Sequence, residues 1–208
     1  MSNSDDGIIS MDATHLDKVV LIHQEAFPDF FMTLLGAPFL RAYYSSILKF
    51  ENSIALVHVG RNGDLDGFAV GCVGPENFYK SMISRPIGIC WGILVGLFRR
   101  PYLLKRIINN VIRVKKSKVL KGNELRCELS SIGVSTSGSG IGKALVGRFV
   151  ILAFETEAKE LVLTTDLNNN DGVIAFYKGK GFVQSGIDVR GNREMIQFRL
   201  RNPKHREN

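Results

Sequence analysis

Apolar residues recur at roughly helical spacing over positions 15 to 27, through Leu16, Val19, Val20, Ile22 and Phe27. They do so again over 38 to 50, through Phe39, Leu40, Tyr43, Tyr44, Ile47 and Leu48. Each stretch predicts an amphipathic helix, the first capped by Asp12 or Thr14. Around them the pattern changes to short extended runs. Positions 7 to 11 read as a first strand, and Ser53–Val59 and Leu65–Val73 as two more. Arg61-Asn-Gly-Asp64 joins the latter pair, its Asn-Gly being a good hairpin turn. Later strands are predicted over 124 to 134, Glu160–Asp166, 182 to 188 and 194 to 200.

One stretch does more than build the fold. Glu128-Leu-Ser-Ser-Ile-Gly-Val134 reads as the end of a strand, followed by Ser-Thr-Ser-Gly-Ser-Gly and a helix that starts near Ile141. Gly138, Gly140 and Gly142 let the backbone turn sharply and aim several N–H groups at one point. The positive end of the helix dipole faces the same point. The expectation is a seat for a phosphate or pyrophosphate. A nucleoside-triphosphate loop of the Gly-x4-Gly-Lys-Ser/Thr type would need glycine at position 137 and Ser or Thr at 144, where the chain has Ser137 and Ala144. A dinucleotide fingerprint would need its third glycine at position 143, which is Lys143, and its strand near the start of the fold.

A third reading fits. A strand ending Ile-x-Val, then Gly-x-Gly-Ile-Gly-x-Ala-Leu, resembles the coenzyme A loop of the GNAT N-acetyltransferase superfamily. About 30 residues on, Asn170, Tyr177, Gly181 and Phe182 match the four positions of that family's second signature. The close resemblance covers roughly residues 124 to 183. It implies an α/β fold with a mixed central sheet flanked by helices, and the element order β-α-α-β-β then β-α-β-α-β-β agrees. The chain departs from the family at Ser137, where Arg or Gln is usual. Serine donates one hydrogen bond but is short and uncharged.

Composition then bounds the setting. At 208 residues, 45% apolar and 23% charged, the whole chain, 1–208, is expected to form one globular domain. Cys72, Cys90 and Cys127 are odd in number and widely spaced, and the four histidines are scattered, so neither a disulfide framework nor a metal site is expected. The first residues lack the basic and apolar regions of a secretory signal, and a reducing, cytoplasmic location is the expectation.

Charge is concentrated in one place. Residues 76 to 122 hold eleven Lys/Arg against Glu76 alone, a net +10, which leaves −3 for the rest of a +7 chain. This segment is a helical insertion between strands three and four. Positions 87 to 98 form an uncharged apolar run around Trp91, about 18 Å long as a helix and too short to span a membrane. After Arg99-Arg100-Pro101, Leu103, Leu104, Ile107, Ile108, Val111 and Ile112 oppose Lys105, Arg106, Asn109, Asn110 and Arg113, predicting an amphipathic helix. Three readings stay open for the insertion. It packs against the domain or a twin subunit, as in a homodimer; it is a lid whose arginines meet an anionic acceptor; or residues 85 to 118 touch an anionic membrane at its inner face. No nucleic-acid reader motif accompanies the basic cluster.

The resemblance implies transfer of an acetyl group from acetyl-CoA to an amine by direct attack, with no metal. It puts the Tyr177 hydroxyl near the CoA sulfur as acid; packing between helix and sheet is the other reading of that residue. Glu128, central in its strand, is the candidate base, directly or through water, or else forms an ion pair with Arg126 or an insertion lysine. Along the strand, alternation puts Arg126, Glu128, Ser130, Ile132 and Val134 on one face. The resemblance lays Ile132 and Val134 along the pantetheine arm, the Val134 N–H polarising the acetyl carbonyl. It sets Ser137, Gly138, Ser139, Gly140, Ile141, Gly142 and Lys143 around the pyrophosphate. Asn170 matches the residue that bonds the CoA arm, and also suits a helix N-cap. Cys127 has no His near it in sequence and faces an apolar side, so it is not read as a nucleophile.

The acceptor side is carried by residues 27 to 41, similar to the first two helices of family members associated with surface-polysaccharide sugar modification. Asp29, Phe30, Phe31 and Arg41 are the candidate acceptor-binding residues, and a nucleotide-linked amino sugar the expected acceptor. A protein amine, or a silent CoA-binding or interaction module, are the alternatives.

Overall fold

The computed structural model describes residues 7–84, 87–102, 104, 125–190 and 193–205. Seven strands, β1 (Ile8–Ser10), β2 (Ser53–Val59), β3 (Leu65–Val73), β4 (Arg126–Val134), β5 (Glu160–Asp166), β6 (Val183–Arg190) and β7 (Arg193–Arg201), form one sheet. Its order is β1-β2-β3-β4-β5-β7-β6. β4 and β5 run parallel and every other neighbouring pair antiparallel, a mixed sheet as expected. The helices are α1 (Leu16–Ala26), α2 (Phe31–Leu35), α3 (Ala37–Leu48), α4 (Pro75–Ser84), α5 (Ile87–Arg99), α6 (Ile141–Glu155) and α7 (Asp171–Gly179).

The helices divide between the two faces of the sheet because β3 is apolar on both sides. Phe68, Val70 and Cys72 point into a core built with α1, α3 and Phe78 of α4. Ala69 belongs to the opposite core, with Leu145, Val146 and Phe149 of α6 and Tyr177 of α7. A strand buried on both faces reads as a continuous apolar run, and Phe68–Val73 does.

Local signals explain the element ends. Asp12 caps a 3-10 turn at Ala13–His15 before α1, accepting from the Thr14 N–H at 2.8 Å and donating its own N–H to His15 Nδ1 at 3.0 Å. The helix expected over 38 to 50 is α3, and a separate short α2 precedes it. Gly36, at φ 92°, breaks the two apart, and Pro38 sits in the first turn of α3, where its missing N–H costs nothing. The Asn-Gly hairpin forms with Gly63 at φ 82°.

β4 corrects the expected alternation. Val70 pairs with Ser131 and Gly71 with Leu129, so Ser130 is an extra residue, a β-bulge. Leu129 lies in the α6 core, yet Ile132 and Val134 also pack on that side, while the Ser131 hydroxyl meets Tyr44 in the opposite core. The bulge flips the pleat between Glu128 and Ile132, so Glu128 and Ile132 do not share a face. Gly71 makes room there: a Cβ on it would overlap the Glu128 carbonyl oxygen and come within 2.7 Å of Phe149 Cζ.

The described part of the insertion is helical. α5 packs on α2 and α3 through glycine: a Cβ on Gly92 would come within 2.6 Å of Phe39 Cα, and one on Gly96 within 2.7 Å of the Leu35 carbonyl. The amphipathic stretch expected at 103 to 113 lies outside the described residues, Leu104 excepted.

Candidate functional site

The parallel pair β4–β5 is joined over three rungs only: Arg126 with Glu160, Cys127 with Leu161, and Glu128 with Val162. Beyond that point β4 stays on β3 as far as Val134, and β5 stays on β7 as far as Asp166. The two strands therefore fork, and the backbone edges of residues 129–134 and 163–166 face a gap instead of each other. Unpaired strand edges present N–H and C=O groups that an extended, amide-bearing ligand can bond. The bulge at Ser130 sits at the fork and bends β4 away, which accounts for the opening.

At the open end of β4 the chain turns into α6. Gly138 (φ 79°) and Gly140 (φ 84°) take left-handed conformations, and a Cβ on either would meet nothing within 4 Å, so the loop lines open space. Ser135 N–H bonds Asp66 O at 2.8 Å and Ser139 Oγ donates to Thr136 O at 2.9 Å, which fix the turn. The first intrahelical bond runs from Ala144 N–H to Gly140 O at 3.1 Å, leaving the amides of Ile141, Gly142 and Lys143 without an intrahelical acceptor. Ser137 and Lys143 are exposed at the same loop. Amides and dipole together suit an anion.

On the α6–α7 side of the fork, Tyr177 is buried among Phe176, Phe182 and Phe198, in the same core as Leu129 and Leu163, the first residues past the last rung on each strand. Burial pushes its phenol up to about 12, so it stays protonated at neutral pH. Asn170 occupies the N-cap position of α7 without capping it. Its Nδ2 donates instead to Thr165 Oγ1 and Asp166 O, both at 2.9 Å, tying the helix start to the far arm of the fork. Ile132 and Val134 pack on this same side.

Glu128 faces the other side. Its Oε1 accepts from Tyr79 of α4 at 3.1 Å and from Ser130 at 3.4 Å. Arg126 does not pair with it but bonds Glu160 across the rung at 2.8 Å. The Glu128 charge, then burial, push the Tyr79 phenol well up, and burial with the same charge raises Tyr43. Glu76 lies one helical turn from Tyr79, buried, with no hydrogen-bond partner for Oε2 among the described residues. Burial and these carboxylates also hold the Cys72 thiol protonated; burial and Glu128 push Cys127 up to about 12, so neither thiol is a nucleophile. Behind Ser131 runs a second polar chain, Tyr44 OH to Ser131 Oγ at 3.3 Å and His23 Nδ1 to Tyr44 OH at 2.6 Å.

The candidate acceptor residues do not all gather. Phe30 precedes α2, its ring 4.8 Å from Phe27 and 4.0 Å beneath the guanidinium of Arg193. Arg193 in turn bonds Asp166 through Nε at 2.9 Å, so β7, the end of β5 and α2 meet at the mouth of the fork. Asp29 is exposed beside Phe30, and Phe31 packs into the α1–α3 core. Arg41 is exposed on α3 and pairs with Asp17 in the first turn of α1, away from this group. Tyr79 and Arg193 went unread in the sequence, and Ser130 was read only as one residue of the Glu128 face. The basic pattern hid Tyr79, and only pairing register reveals Ser130.

With this geometry in view, a family model described as "Acetyltransferase (GNAT) family" matches residues 111–182. Among curated proteins none matches the sequence. Solved structures similar in fold include the ribosomal-protein-S18-alanine N-acetyltransferase from Escherichia coli, at 17% identity and TM-score 0.57, covering 94% of this chain and 92% of that one. The ribosomal-protein-alanine N-acetyltransferase from Brucella melitensis matches at 14% identity and TM-score 0.60, covering 93% and 98%. An N-acetyltransferase from Staphylococcus aureus Mu50 matches at 15% and 0.61, covering 93% and 96%. At these identities the likeness is one of fold. The mixed sheet flanked by helices is the GNAT fold, and the segment that the family model matches runs from before β4 to the end of α7.

Proposed function

We propose, on the premise of a GNAT-type acetyltransferase, that this chain moves the acetyl group of acetyl-CoA to a primary amine by direct attack. The observation that carries this reading is the fork past the Glu128–Val162 rung, with Tyr177 on one side, Glu128 on the other, and the glycine loop at its open end. CoA enters as a substrate. Its pyrophosphate sits against the amides of Ser139 to Lys143, its pantetheine amides bond the free edges of β4 and β5, and Asn170 holds the arm from α7. The amine approaches from the Glu128 side and gives up its proton to that carboxylate, directly or through water. Its lone pair attacks the thioester carbonyl, whose oxygen is met by the Val134 N–H. As the C–S bond breaks, the sulfur takes a proton from Tyr177.

The acceptor side carries two carboxylates, Glu76 and Glu128, and the hydroxyls of Tyr79, Ser130 and Ser131. Carboxylates draw a protonated amine, and hydroxyls suit a sugar ring. With the basic insertion offering charge to a nucleotide's phosphates, a nucleotide-linked amino sugar is the acceptor we propose. The test is release of free thiol from acetyl-CoA across a panel of nucleotide-linked amino sugars and peptides with free N-termini, by wild type and Glu128→Gln. Transfer to the sugars, lost in Glu128→Gln, is expected. Transfer only to peptides would make the substrate a protein amine. Binding without any transfer would leave a silent CoA-binding module.

A further inference from the structure

We propose that the exposed side of α5 seats this protein on an anionic lipid surface, an inference that does not rest on the acetyl-transfer reading. α5 is apolar all round apart from its last residue, Arg99. Its inner face is settled: Gly92 and Gly96 lie against the backbones of Phe39 and Leu35, and Ile89, Ile93 and Leu97 pack into the α1–α3 core. Among the described residues the outer face has no such cover. Trp91 is 64% exposed, Leu94 59% and Phe98 92%, at spacings of three and four that put them on one stripe. Tyr102 and Leu104, just past the helix end, are exposed as well, at 69% and 50%. A contiguous apolar face of this kind on a folded protein marks an interaction site.

Charge selects the occupant. From Asn77 to Gly122 the chain has eleven Lys/Arg and no acidic residue. An apolar helix face with Trp, Phe and Tyr at its rim, set in a basic segment, is the pattern of a helix that lies in the headgroup region of an anionic bilayer. Thirteen residues make a helix about 20 Å long, short of a ~30 Å hydrocarbon core, so α5 would lie on the surface. Among the described residues, no helix is long and apolar enough to cross. The glycine stripe contributes by fixing α5 close to α2 and α3, so that its outer residues stand off a rigid support.

Trp91 is the only tryptophan of the chain, so selectively excited tryptophan fluorescence reports on this face alone. Full-length protein would be mixed with vesicles of equal parts phosphatidylglycerol and phosphatidylcholine, or of phosphatidylcholine alone. The expected result is an exposed-indole emission that shifts to the blue with the anionic vesicles only, the shift weakening as salt is added. Leu94→Glu and Phe98→Glu, both at exposed positions, should each weaken vesicle co-sedimentation about tenfold or more while keeping the far-UV circular dichroism of wild type. No shift with anionic vesicles would overturn the proposal. So would undiminished co-sedimentation of both variants. A blue shift that follows protein concentration without lipid would mean that a second copy takes the face. Emission already blue in the dilute protein and unmoved by vesicles would mean that the chain covers it.

Discussion

Burial sets the protonation of the side chains around the fork. Tyr177, pushed up to about 12, keeps its proton through the neutral range, so Tyr177→Phe removes a donor without removing bulk. Its kcat for acetyl transfer should fall about a hundredfold with acetyl-CoA affinity retained; an unchanged kcat would assign Tyr177 to packing alone. His23 offers a test of stability. Buried beneath Phe27 and Phe68, its imidazole is lowered to about 4, so the native protein holds it neutral. The unfolded chain takes that proton below about pH 6.5. The His23 contribution is therefore complete above 6.5 and is lost as pH falls towards 4, by up to about 1.4 kcal/mol per pH unit. In urea titrations His23→Asn should flatten that acid slope; an identical slope would place the acid sensitivity elsewhere. The sequence displays Tyr177 through its spacing to Gly181-Phe182, but a lone histidine on an apolar helix face carries no sign of Tyr44 and Ser131 behind it.

Among the elements, the β3–β4–β5 unit decides whether there is a cleft. The fork needs the bulge at Ser130, and the bulge needs the missing side chain of Gly71, against which the Glu128 carbonyl and Phe149 close in. Gly71→Val should destabilise the fold by about 1 to 3 kcal/mol and weaken acetyl-CoA binding with it. Full stability with full binding would show that the bulge is not held from this side. Strands β2, β3 and β5 were legible to the residue, because β-branched and apolar runs bounded by turn residues leave little choice of ends. The bulge was not, since a one-residue insertion depends on what β3 presents to β4 and leaves no mark in the composition of β4. Alternation alone therefore put Glu128 and Ile132 on one face, when the sheet separates them. α2 went unseen as a separate helix because five residues give too little periodicity to read.

Across the whole molecule, the sheet divides the proposed chemistry: thioester and acid on the α6–α7 side, amine and base on the side of α1, α3 and α4. The two signatures in the second half of the chain made the turn before α6 and the start of α7 legible, because a glycine loop and the Asn170–Tyr177–Phe182 spacing are local. The acceptor half is assembled from α2, α4, β4 and β7, whose partners are far apart in sequence, so Tyr79 and Arg193 emerge only in the fold. Arg41 pairs with Asp17 in the first turn of α1, a contact that charge alone does not show in the sequence. Ser137, a short neutral residue, stands exposed at the loop. The direct test is calorimetric titration of acetyl-CoA into wild type and into Gly140→Val, which puts a branched side chain at φ 84° over the open seat. Saturable one-to-one binding by wild type, lost in the variant, is the predicted outcome. No binding by wild type, or equal binding by both, would contradict a CoA seat at this loop.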